Sequence, residues 1–446
     1  MLGTPGKTRS DVLSLVEKHD VRFVELQFTD VLGMIKSVSL PISQIEEALD
    51  GKIMFDGSSI EGFARIQESD MYLRPDYDTF TILPWLTKDG TVARLICDVY
   101  TPEGVPFAGC PRTVLKKVAA DAQEQGFELY AGPEQEFFLL ETDAKGRPIL
   151  TQHDAAGYFD LAPIDRGLDA RREMVIALQQ MGYEVEASHH EVAPGQHEID
   201  FKYDSALRAA DNIVTFRMVA KAIAARCGLY ASFLPKPFHG LNGSGMHTHM
   251  SVFQNGRNVF YDPAGPNGLS ETALHFIGGL LYHARGFTAV TNPLINSYKR
   301  LIPGYEAPVY VCWSSANRSA LVRVPAATGN ATRVELRNPD PAVNPYLALA
   351  VVFAAGLDGI AKRIEPPPEC LRNVFAMSER EKAQEGIVSL PGSLREALGL
   401  MEKDGLVRST LGEHIYGAFV RAKTAEWNEY RQQVTTWELE RYLPLY

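Results

Sequence analysis

Acidic and basic residues alternate in separated segments of this chain. The residues concerned are Glu134 and Glu136, Glu191 and Glu198, His247 and His249, and Arg333, Glu335 and Arg337. Side chains two apart on a strand point to the same face of a sheet, so each alternating pair presents both members to one surface. Five such carboxylates could not share a site unaided, because each unpaired buried charge costs several kcal/mol. If these side chains converge, a cation must neutralise them.

The donor types favour a hard divalent cation. Carboxylate oxygens with one imidazole suit Mg²⁺ or Mn²⁺, whereas zinc would favour cysteine and more histidine. Mg²⁺ usually keeps positions open for substrate phosphates, which points to a nucleotide or a phosphorylated intermediate. Taken singly, each glutamate is better explained as a surface acid, and His247 as an ordinary packed histidine. Only the joint pattern favours a metal site.

Arginines crowd into fewer than forty residues of a chain that is acidic overall. They are Arg300, Arg318, Arg323, Arg333 and Arg337. Such a group suits bidentate capture of phosphates and of a substrate carboxylate; the alternative is a set of surface ion pairs worth little individually. The glycines of GLNGSG do not form a dinucleotide fingerprint, and the sequence has no GxxxxGK[ST] loop. Metals and arginines must therefore hold any ATP.

Composition excludes several classes of protein. The chain has 446 residues, 45% of them hydrophobic and 22% charged, which is typical of a soluble globular protein with two or more domains. Its net charge of −11 argues against a nucleic-acid surface. The longest apolar run, 346–357, is too short to span a bilayer and predicts a buried helix. The N-terminal segment has no apolar signal core, and five scattered cysteines fit a protein of the reducing cytoplasm.

The segments that must position these residues form an α+β chain. Strand and helix patterns predict a small unit over 1–106, a Pro- and Gly-rich boundary near TPEGVPFAGCPR, and a larger unit over 107–446. Ser43–Glu46 has the pattern of a capping box for a helix ending at Gly51, and Pro111 can open the next helix. Asn255-Gly256 predicts a hairpin, and 296–308 is expected to be a mobile loop.

Seven segments resemble those of type I glutamine synthetase, in the order of that family and from about residue 15 onwards. They are FDGSSIEGF (55–63), GPEQEFFL, HHEVAPGQHEIDF, NGSGMHTHMS, NPLINSYKRLIPGYEAP, NRSALVRVP and RVELRNPDPAVNPYLALA. The resemblance implies a small N-terminal β-grasp-like domain and a large catalytic domain with a curved antiparallel sheet flanked by helices. It also implies an enzyme that joins L-glutamate and ammonium at the expense of ATP, through an acyl phosphate.

The resemblance also implies a role for individual residues. One divalent cation would be held by Glu136, Glu191 and Glu198, and a second by Glu134, His247 and Glu335. Glutamate and the reacting phosphoryl group would be held by Asn242, Gly243, Arg300, Arg318 and Arg337. ATP would be contacted by Glu186, His249, Ser251, Arg318, Arg323 and Arg333. Asp56 would take a proton from ammonium, and Glu306 would close the site over the intermediate.

Assembly and regulation follow from the same resemblance. In the family, the N-terminal unit carrying Asp56 reaches a neighbouring subunit, and stacked rings, usually a dodecamer, are bridged by the C-terminal helix. Phe375 stands where one branch of the family carries an adenylylated tyrosine, which excludes that modification here. The chain resembles the Gram-positive type instead, in which Arg65 takes part in feedback inhibition by glutamine and the inhibited enzyme binds nitrogen-regulatory transcription factors. Without the resemblance, Arg65 is better explained as a solvated surface residue.

Two alternatives remain at this point. One is a related ligase that attaches glutamate to a polyamine or another amine; the intact DGSS segment and the NSYKRLIPGYEAP loop favour ammonia. The other is a catalytically silent relative with a structural or regulatory role. Loss of a metal ligand, of Arg337 or of Glu306 would support the second alternative, and the sequence retains them all.

Overall fold

The computed structural model describes residues 6–60, 62, 70–86, 88 and 90–446. The N-terminal unit consists of α1 (Arg9–Lys18), β1 (Val21–Thr29), β2 (Ile35–Pro41), α2 (Ile45–Leu49), β3 (Ile53–Asp56), β4 (Asp70–Ile82) and β5 (Thr91–Tyr100). Its sheet has the order β2-β1-β5-β4-β3, with β1 parallel to β5 and the other pairs antiparallel. A turn at 30–33 joins β1 and β2, where the sequence predicts it.

The capping box expected at Ser43–Glu46 is wrong. A 3₁₀ turn over Ile42–Gln44 takes Ser43 into its own first turn, so Ser43 cannot cap the helix that follows. Gln44 is the N-cap of α2 and makes no side-chain capping hydrogen bond. The helix does end before Gly51, whose φ of +69° is the left-handed conformation that glycine favours.

The larger unit is built on one extensive sheet. Its first half comprises α3 (Pro111–Glu124), β6 (Glu128–Thr142), β7 (Pro148–Gln152), α4 (Leu168–Gln180), β8 (Val185–His190), β9 (Gln196–Phe201), β10 (Asp204–Ser205), α5 (Ala206–Arg226), β11 (Leu229–Ser232), β12 (Met246–Gln254) and β13 (Arg257–Asn258). Its second half comprises α6 (Glu271–Thr291), α7 (Ser297–Arg300), β14 (Tyr310–Ser314), β15 (Ala320–Arg323), β16 (Val334–Leu336), α8 (Pro345–Lys362), α9 (Glu379–Gln384), β17 (Val388–Ser389), α10 (Leu394–Met401), α11 (Gly405–Tyr430) and α12 (Thr436–Tyr442).

The strands of this unit form a twelve-stranded sheet whose main path is β17-β14-β15-β16-β12-β6-β9-β8. The pairs are antiparallel, except that β14 runs parallel to β15. The α+β fold class is therefore confirmed, with one parallel pair added to the expected antiparallel sheet. β6 lies at the centre, so residues near its middle are flanked by β9 on one side and β12 on the other.

Local sequence explains several of these elements. Pro111 opens α3, as predicted, because a first helical turn needs no hydrogen bond from its nitrogen. Asn255 and Gly256 both have positive φ, as a type I′ turn requires, and they join β12 to β13. The second strand of that hairpin is shorter than expected. Ser297–Arg300 form the short helix α7 within the segment that was expected to be a loop.

The apolar run at 346–357 lies in α8, which is mostly buried against α6. A Cβ on Gly279 of α6 would lie 2.2 Å from the Ala355 carbonyl oxygen, so the two helices approach more closely than a larger residue would permit. By length and composition alone α8 could cross a membrane, but 72% of it is buried within the protein. Its apolar character is explained by this packing.

One buried arginine ties the two units together. The guanidinium of Arg112, on α3, donates to Asp98 of β5 at 3.0 Å and to Asp76 of β4 at 2.6 Å. It also donates to both carboxylate oxygens of Asp211, on α5, at 2.9 and 2.8 Å. Because the planar guanidinium fixes the direction of each bond, Arg112 sets how the small sheet sits against the larger unit.

Candidate active site

The register of neighbouring strands places the acidic residues side by side on one face of the large sheet. The opposed pairs are Glu136 with Glu198 and Glu134 with Asp200 across β6 and β9, Glu134 with His247 across β6 and β12, and His249 with Glu335 across β12 and β16. Directly opposed residues have their side chains on the same face, about 5 Å apart at Cβ. Residues distant in sequence are therefore neighbours in one row.

This face forms the floor of a cavity of about 510 Å³, which we call the acidic cavity. The sequence-predicted residues that line it are Glu134, Glu136, Glu191, Glu198, Asn242, Gly243, His247, Arg300, Glu306, Arg318, Arg323, Glu335 and Arg337. The structure thus brings together every residue that the resemblance assigned to metal or glutamate. The lining also includes His189, Asp200 and Tyr158, which the sequence analysis missed.

The first group of candidate metal ligands consists of Glu136, Glu191 and Glu198. Its carboxylates are crowded, with little positive charge nearby to neutralise them. Glu136 accepts hydrogen bonds from the Gln196 side-chain amide at 2.6 Å and from the Gly245 backbone N–H at 2.9 Å. Burial and the nearby charge of Glu191 raise the pKa of Glu136 to about 8. Burial and Glu136 likewise raise the pKa of Glu198. Ionising both carboxyls is thus costly until a cation lies between them.

The second group of candidate metal ligands contains one imidazole, that of His247. Ligand atoms of Glu134, His247 and Glu335 lie within 4.8 Å of one another. The His247 Nδ1 atom is 3.6 Å from a Glu134 carboxylate oxygen and 3.7 Å from a Glu335 oxygen. Burial and Arg337 lower the pKa of His247, so the ring is neutral, as a metal ligand must be. Arg323 and Arg337 each donate to Glu335 at 2.8 Å.

Both groups suit divalent cations in the chemistry of their donors. Oxygen ligands with one imidazole match Mg²⁺ or Mn²⁺. In the first group, the ligand atoms that lie within 4.8 Å of one another come from His189, Glu191 and Glu198, and Glu136 faces Glu198 from β6. Opposed carboxylates at Glu136 and Glu198 destabilise a sheet unless something neutralises them. The nearby Arg323 and Arg337 donate their hydrogen bonds to Glu335 instead. A cation fits this position better than any protein group nearby.

The wall facing the carboxylates carries the substrate-binding candidates. Arg300 is buried and donates to the backbone carbonyls of Asn338 and Arg337, at 2.7 and 3.2 Å, so its position is fixed. Arg318 is exposed at the cavity rim. A Cβ on Gly243 would lie 2.3 Å from the Pro235 carbonyl oxygen, which explains the glycine there. This wall offers positive charge and backbone groups to an anionic substrate.

A second cavity of about 310 Å³ adjoins the first, and Glu134 and Asp200 line both. The ATP candidates that line it are Glu186, His249, Ser251 and Arg333, together with Tyr130 and Tyr203. His249 bridges the cavities, because its Nδ1 accepts from Arg333 at 3.2 Å and its Nε2 lies 2.7 Å from Glu134. Arg318 and Arg323, also assigned to ATP by resemblance, line the acidic cavity and not this one.

Asp56 lies apart from both cavities. It is the last residue of β3, in the N-terminal unit, and it is exposed. Hydrogen bonds from the Ser58 hydroxyl and backbone N–H lower the pKa of its carboxyl. It lines neither the acidic cavity nor its neighbour. Arg65 lies outside the described residues.

His189, Asp200 and Tyr158 differ in how far sequence could have revealed them. Asp200 follows Glu198 by two positions on β9, so the alternation that marks Glu134 and Glu136 also predicts its place. His189 lies two residues before Glu191, and its Nε2 is 2.8 Å from the Glu191 carboxylate. Tyr158 comes from an irregular segment with no periodic pattern, so no sequence signal places it.

Comparisons with known proteins agree with this geometry. Residues 20–102 match the family model of the glutamine synthetase beta-Grasp domain, and residues 108–442 match that of the glutamine synthetase catalytic domain. The glutamine synthetase of Thermus thermophilus is 60% identical over 99% of this chain and 100% of its own length. That of Staphylococcus aureus is 53% identical over 98% of this chain and 99% of its own. A solved structure of a GmaS/ADP complex is 35% identical, with a TM-score of 0.89 over 97% of this chain and 99% of that one.

The fold and the paired cavities define the class as a ligase that uses ATP and divalent metals to form an amide bond. The matched domains span nearly the whole chain and the relatives are aligned end to end. The chain belongs to the glutamine synthetase family, as a type I member, and is a glutamate–ammonia ligase. The resemblance found in the sequence is confirmed.

Divalent cations should stabilise this protein through the opposed carboxylates. At a pH above the raised pKa of Glu136, we expect Mn²⁺ or Mg²⁺ to raise the melting temperature of chelator-treated protein. A ligand at a hundred times its dissociation constant stabilises the folded state by about 2.7 kcal/mol. In Glu198→Gln, one of the two opposed charges is gone, so the metal-free form should melt higher than metal-free wild type and gain less from the cation.

Differential scanning calorimetry with and without cation measures both effects. Glu17→Gln, which changes an exposed glutamate on α1, should behave as wild type. An equal cation-dependent shift in wild type and Glu198→Gln would contradict the expected role of the opposed pair.

Proposed function

We propose that glutamate and ATP meet at the junction of the two cavities and react through a γ-glutamyl phosphate. The observation that carries this proposal is the shared wall at Glu134 and Asp200. A nucleotide in the cavity lined by His249, Ser251 and Arg333 can extend its phosphates past this wall into the acidic cavity. Divalent cations held by the two groups of ligands would neutralise phosphate charge and leave the terminal phosphoryl group open to attack.

In the first step, the side-chain carboxylate of glutamate attacks the γ-phosphorus and ADP leaves. Phosphoryl transfer depends mostly on positioning and on charge neutralisation. Arg300, fixed by backbone carbonyls, suits the substrate's α-carboxylate, whereas Arg337 and Arg318 suit the reacting oxygens. These arginines orient the two anions that would otherwise repel each other.

In the second step, ammonia attacks the carbonyl carbon of the acyl phosphate and inorganic phosphate leaves. Ammonium is not nucleophilic until it loses a proton. Asp56 is the proposed acceptor, since the hydrogen bonds from Ser58 keep its carboxyl ionised and able to bind a cation. One proton moves from ammonium to the carboxylate first; the resulting ammonia then forms the C–N bond, and the departing phosphate takes the second proton from nitrogen.

Glu306 is proposed to close the cavity over the acyl phosphate. It lies on the exposed segment after α7 and accepts a hydrogen bond from the Asn242 side chain at 3.1 Å. Its φ of +56° is left-handed, a conformation that costs a non-glycine residue of order 1–3 kcal/mol. The contact with Asn242 connects this segment to the substrate wall and keeps water away from the intermediate.

Glu306→Ala should uncouple ATP consumption from glutamine formation. ATP should still bind and glutamate-dependent phosphate release should continue, because the phosphate-binding residues are unchanged. Water should then capture much of the acyl phosphate. The measurement is the ratio of glutamine formed to phosphate released, with and without ammonium, in the presence of Mg²⁺. Glu17→Ala serves as the exposed-glutamate control, and an unchanged ratio in Glu306→Ala would refute the proposed closure.

We propose further that each active site is shared between neighbouring subunits. Asp56 is exposed on the N-terminal unit and lines neither cavity of its own chain, so it can serve as the base only in another chain's site. The C-terminal segment supports assembly as well. Trp437, Leu443 and Tyr446 expose 63, 72 and 98% of their surface, which suits the bridging of stacked rings.

Mixing two inactive variants tests the shared site. Asp56→Asn damages one half of a site and Glu335→Gln the other, so mixed rings should regain active sites where an intact half of each kind meets. Random mixing restores about a quarter of the sites, which an assay after dissociation and reassembly would detect. Two variants of the same half, Glu335→Gln and Glu198→Gln, should regain nothing. No recovery in the first mixture, with mixed rings shown by mass spectrometry, would argue against sharing.

Feedback inhibition by glutamine through Arg65 is the last part of the proposal, and it is supported by the Gram-positive resemblance. Arg65→Ala is expected to raise the glutamine concentration needed for half-inhibition while sparing the uninhibited rate. Inhibition curves for wild type and Arg65→Ala measure this, with Arg172→Ala as an exposed-arginine control. Identical curves for all three proteins would rule Arg65 out.

A further inference from the structure

A buried polar cluster lies directly behind the acidic cavity. It consists of Asp154, Asp165, Arg171, His190 and His197. Potential ligand atoms of Asp154, His190 and His197 lie within 4.8 Å of one another, which resembles a third metal site. These residues belong to none of the groups assigned so far, although His190 and His197 precede Glu191 and Glu198 by one position.

The hydrogen bonds of the cluster exclude a metal. The His190 Nε2 atom lies 3.2 Å from both carboxylate oxygens of Asp154, and its Nδ1 lies 2.7 Å from the Glu191 carbonyl oxygen. Both ring nitrogens face acceptors only, so both carry protons and the ring is a cation. Arg171 donates to the Nδ1 of His197 at 2.8 Å, which leaves that ring's proton on Nε2. Neither ring has a free lone pair for a cation.

The Asp154 carboxylate instead supports the turn between β8 and β9. Besides His190, it accepts from the backbone N–H of Gly195 at 2.8 Å and of Ala156 at 3.3 Å. His190 and Gly195 lie at either end of the turn that carries Glu191. The pair therefore holds both ends of that turn from behind, while the carboxylate of Glu191 points into the acidic cavity.

We propose that the buried Asp154–His190 ion pair positions Glu191 and thereby sets the affinity for one of the two divalent cations, without affecting the other. This inference rests on the proposed assignment of Glu191 as a metal ligand. The second group lies on β6, β12 and β16. None of its described members makes a hydrogen bond to the Asp154 cluster. Partners that orient a metal ligand typically contribute 10–100-fold to metal affinity.

Mn²⁺ binding to the assembled, nucleotide-free protein tests this proposal. Electron paramagnetic resonance counts free Mn²⁺ and resolves two classes of site by affinity. We expect Asp154→Asn to weaken one class about 10–100-fold and to leave the other within experimental error. Glu191→Gln identifies which class belongs to the first group of ligands, and the class lost in Asp154→Asn should be the same one.

Two replacements of His190 separate its two hydrogen bonds. Asn places an amide nitrogen near the position of Nδ1 and keeps the bond to the Glu191 carbonyl, whereas Gln places one near Nε2 and keeps only the bond to Asp154. His190→Asn should therefore retain more of the first-class affinity than His190→Gln. The reverse order would overturn the proposed route through the Glu191 backbone.

The matched control is Asp404→Asn, which breaks another buried Asp–His pair, with His283, at 2.8 Å. It should lower the melting temperature as Asp154→Asn does but leave both classes of Mn²⁺ site intact. Loss of the same class in Asp404→Asn, or equal effects of Asp154→Asn on both classes, would overturn the proposal. Wild-type protein that binds no pair of Mn²⁺ ions would instead refute the metal assignment itself.

Discussion

The opposition of Glu136 and Glu198 across β6 and β9 is the constraint on which the rest of the site depends. Antiparallel register places these two buried carboxyls directly opposite each other. Like charges in that position destabilise a sheet, and burial together with the charge of Glu136 raises the pKa of Glu198. Cation binding removes this cost, so the metal contributes to the stability of the folded sheet as well as to the chemistry.

The two groups of ligands differ in how the protein neutralises their negative charge. Arg323 and Arg337 already neutralise Glu335, and the His247 and His249 side chains outweigh the effect of burial and lower the pKa of Glu134. Among the described residues, no arginine makes an ion pair with the group around Glu136, whose partners are the amide donors to Glu136 and the His189 imidazole beside Glu191. One half of the cavity is therefore preorganised by the protein, and the other half is completed only when a cation arrives. A substrate phosphate that enters between them meets a fixed positive wall on one side.

Strand periodicity made most of this site predictable from sequence. Alternation of two is a local property of the backbone, so it marks Glu134, Glu136 and His247 without any knowledge of the fold. The same rule reaches Asp200, two positions after Glu198 on β9. Register between strands that lie about sixty residues apart is not local, so sequence alone could suggest that these carboxylates converge but could not give the pairing of Glu136 with Glu198. The role proposed for Asp56 depends on a neighbouring chain, which no pattern within one chain reveals.

Failures of local prediction have equally physical causes. Ser43 has the right spacing for a capping box, but a preceding 3₁₀ turn uses the position for its own first turn. The segment after Asn296 begins as helix because Tyr298 is buried in the hydrophobic core and Arg300 is buried in the wall of the acidic cavity. At Ser43 an adjacent turn, and after Asn296 tertiary burial, decided between conformations that the local sequence leaves close in energy.

The division of the site between strands and loops follows from what each part must do. Metal ligands need fixed distances, and a strand held on both sides by its neighbours supplies them at little cost in entropy on binding. The group proposed to seal the intermediate must instead move, and Glu306 lies on an exposed segment, with a left-handed φ and one hydrogen bond accepted from Asn242. Glu191 lies between these extremes, on a turn, and it alone among the ligands has a buried ion pair behind its backbone. That ion pair gives a turn the rigidity that the other ligands take from the sheet.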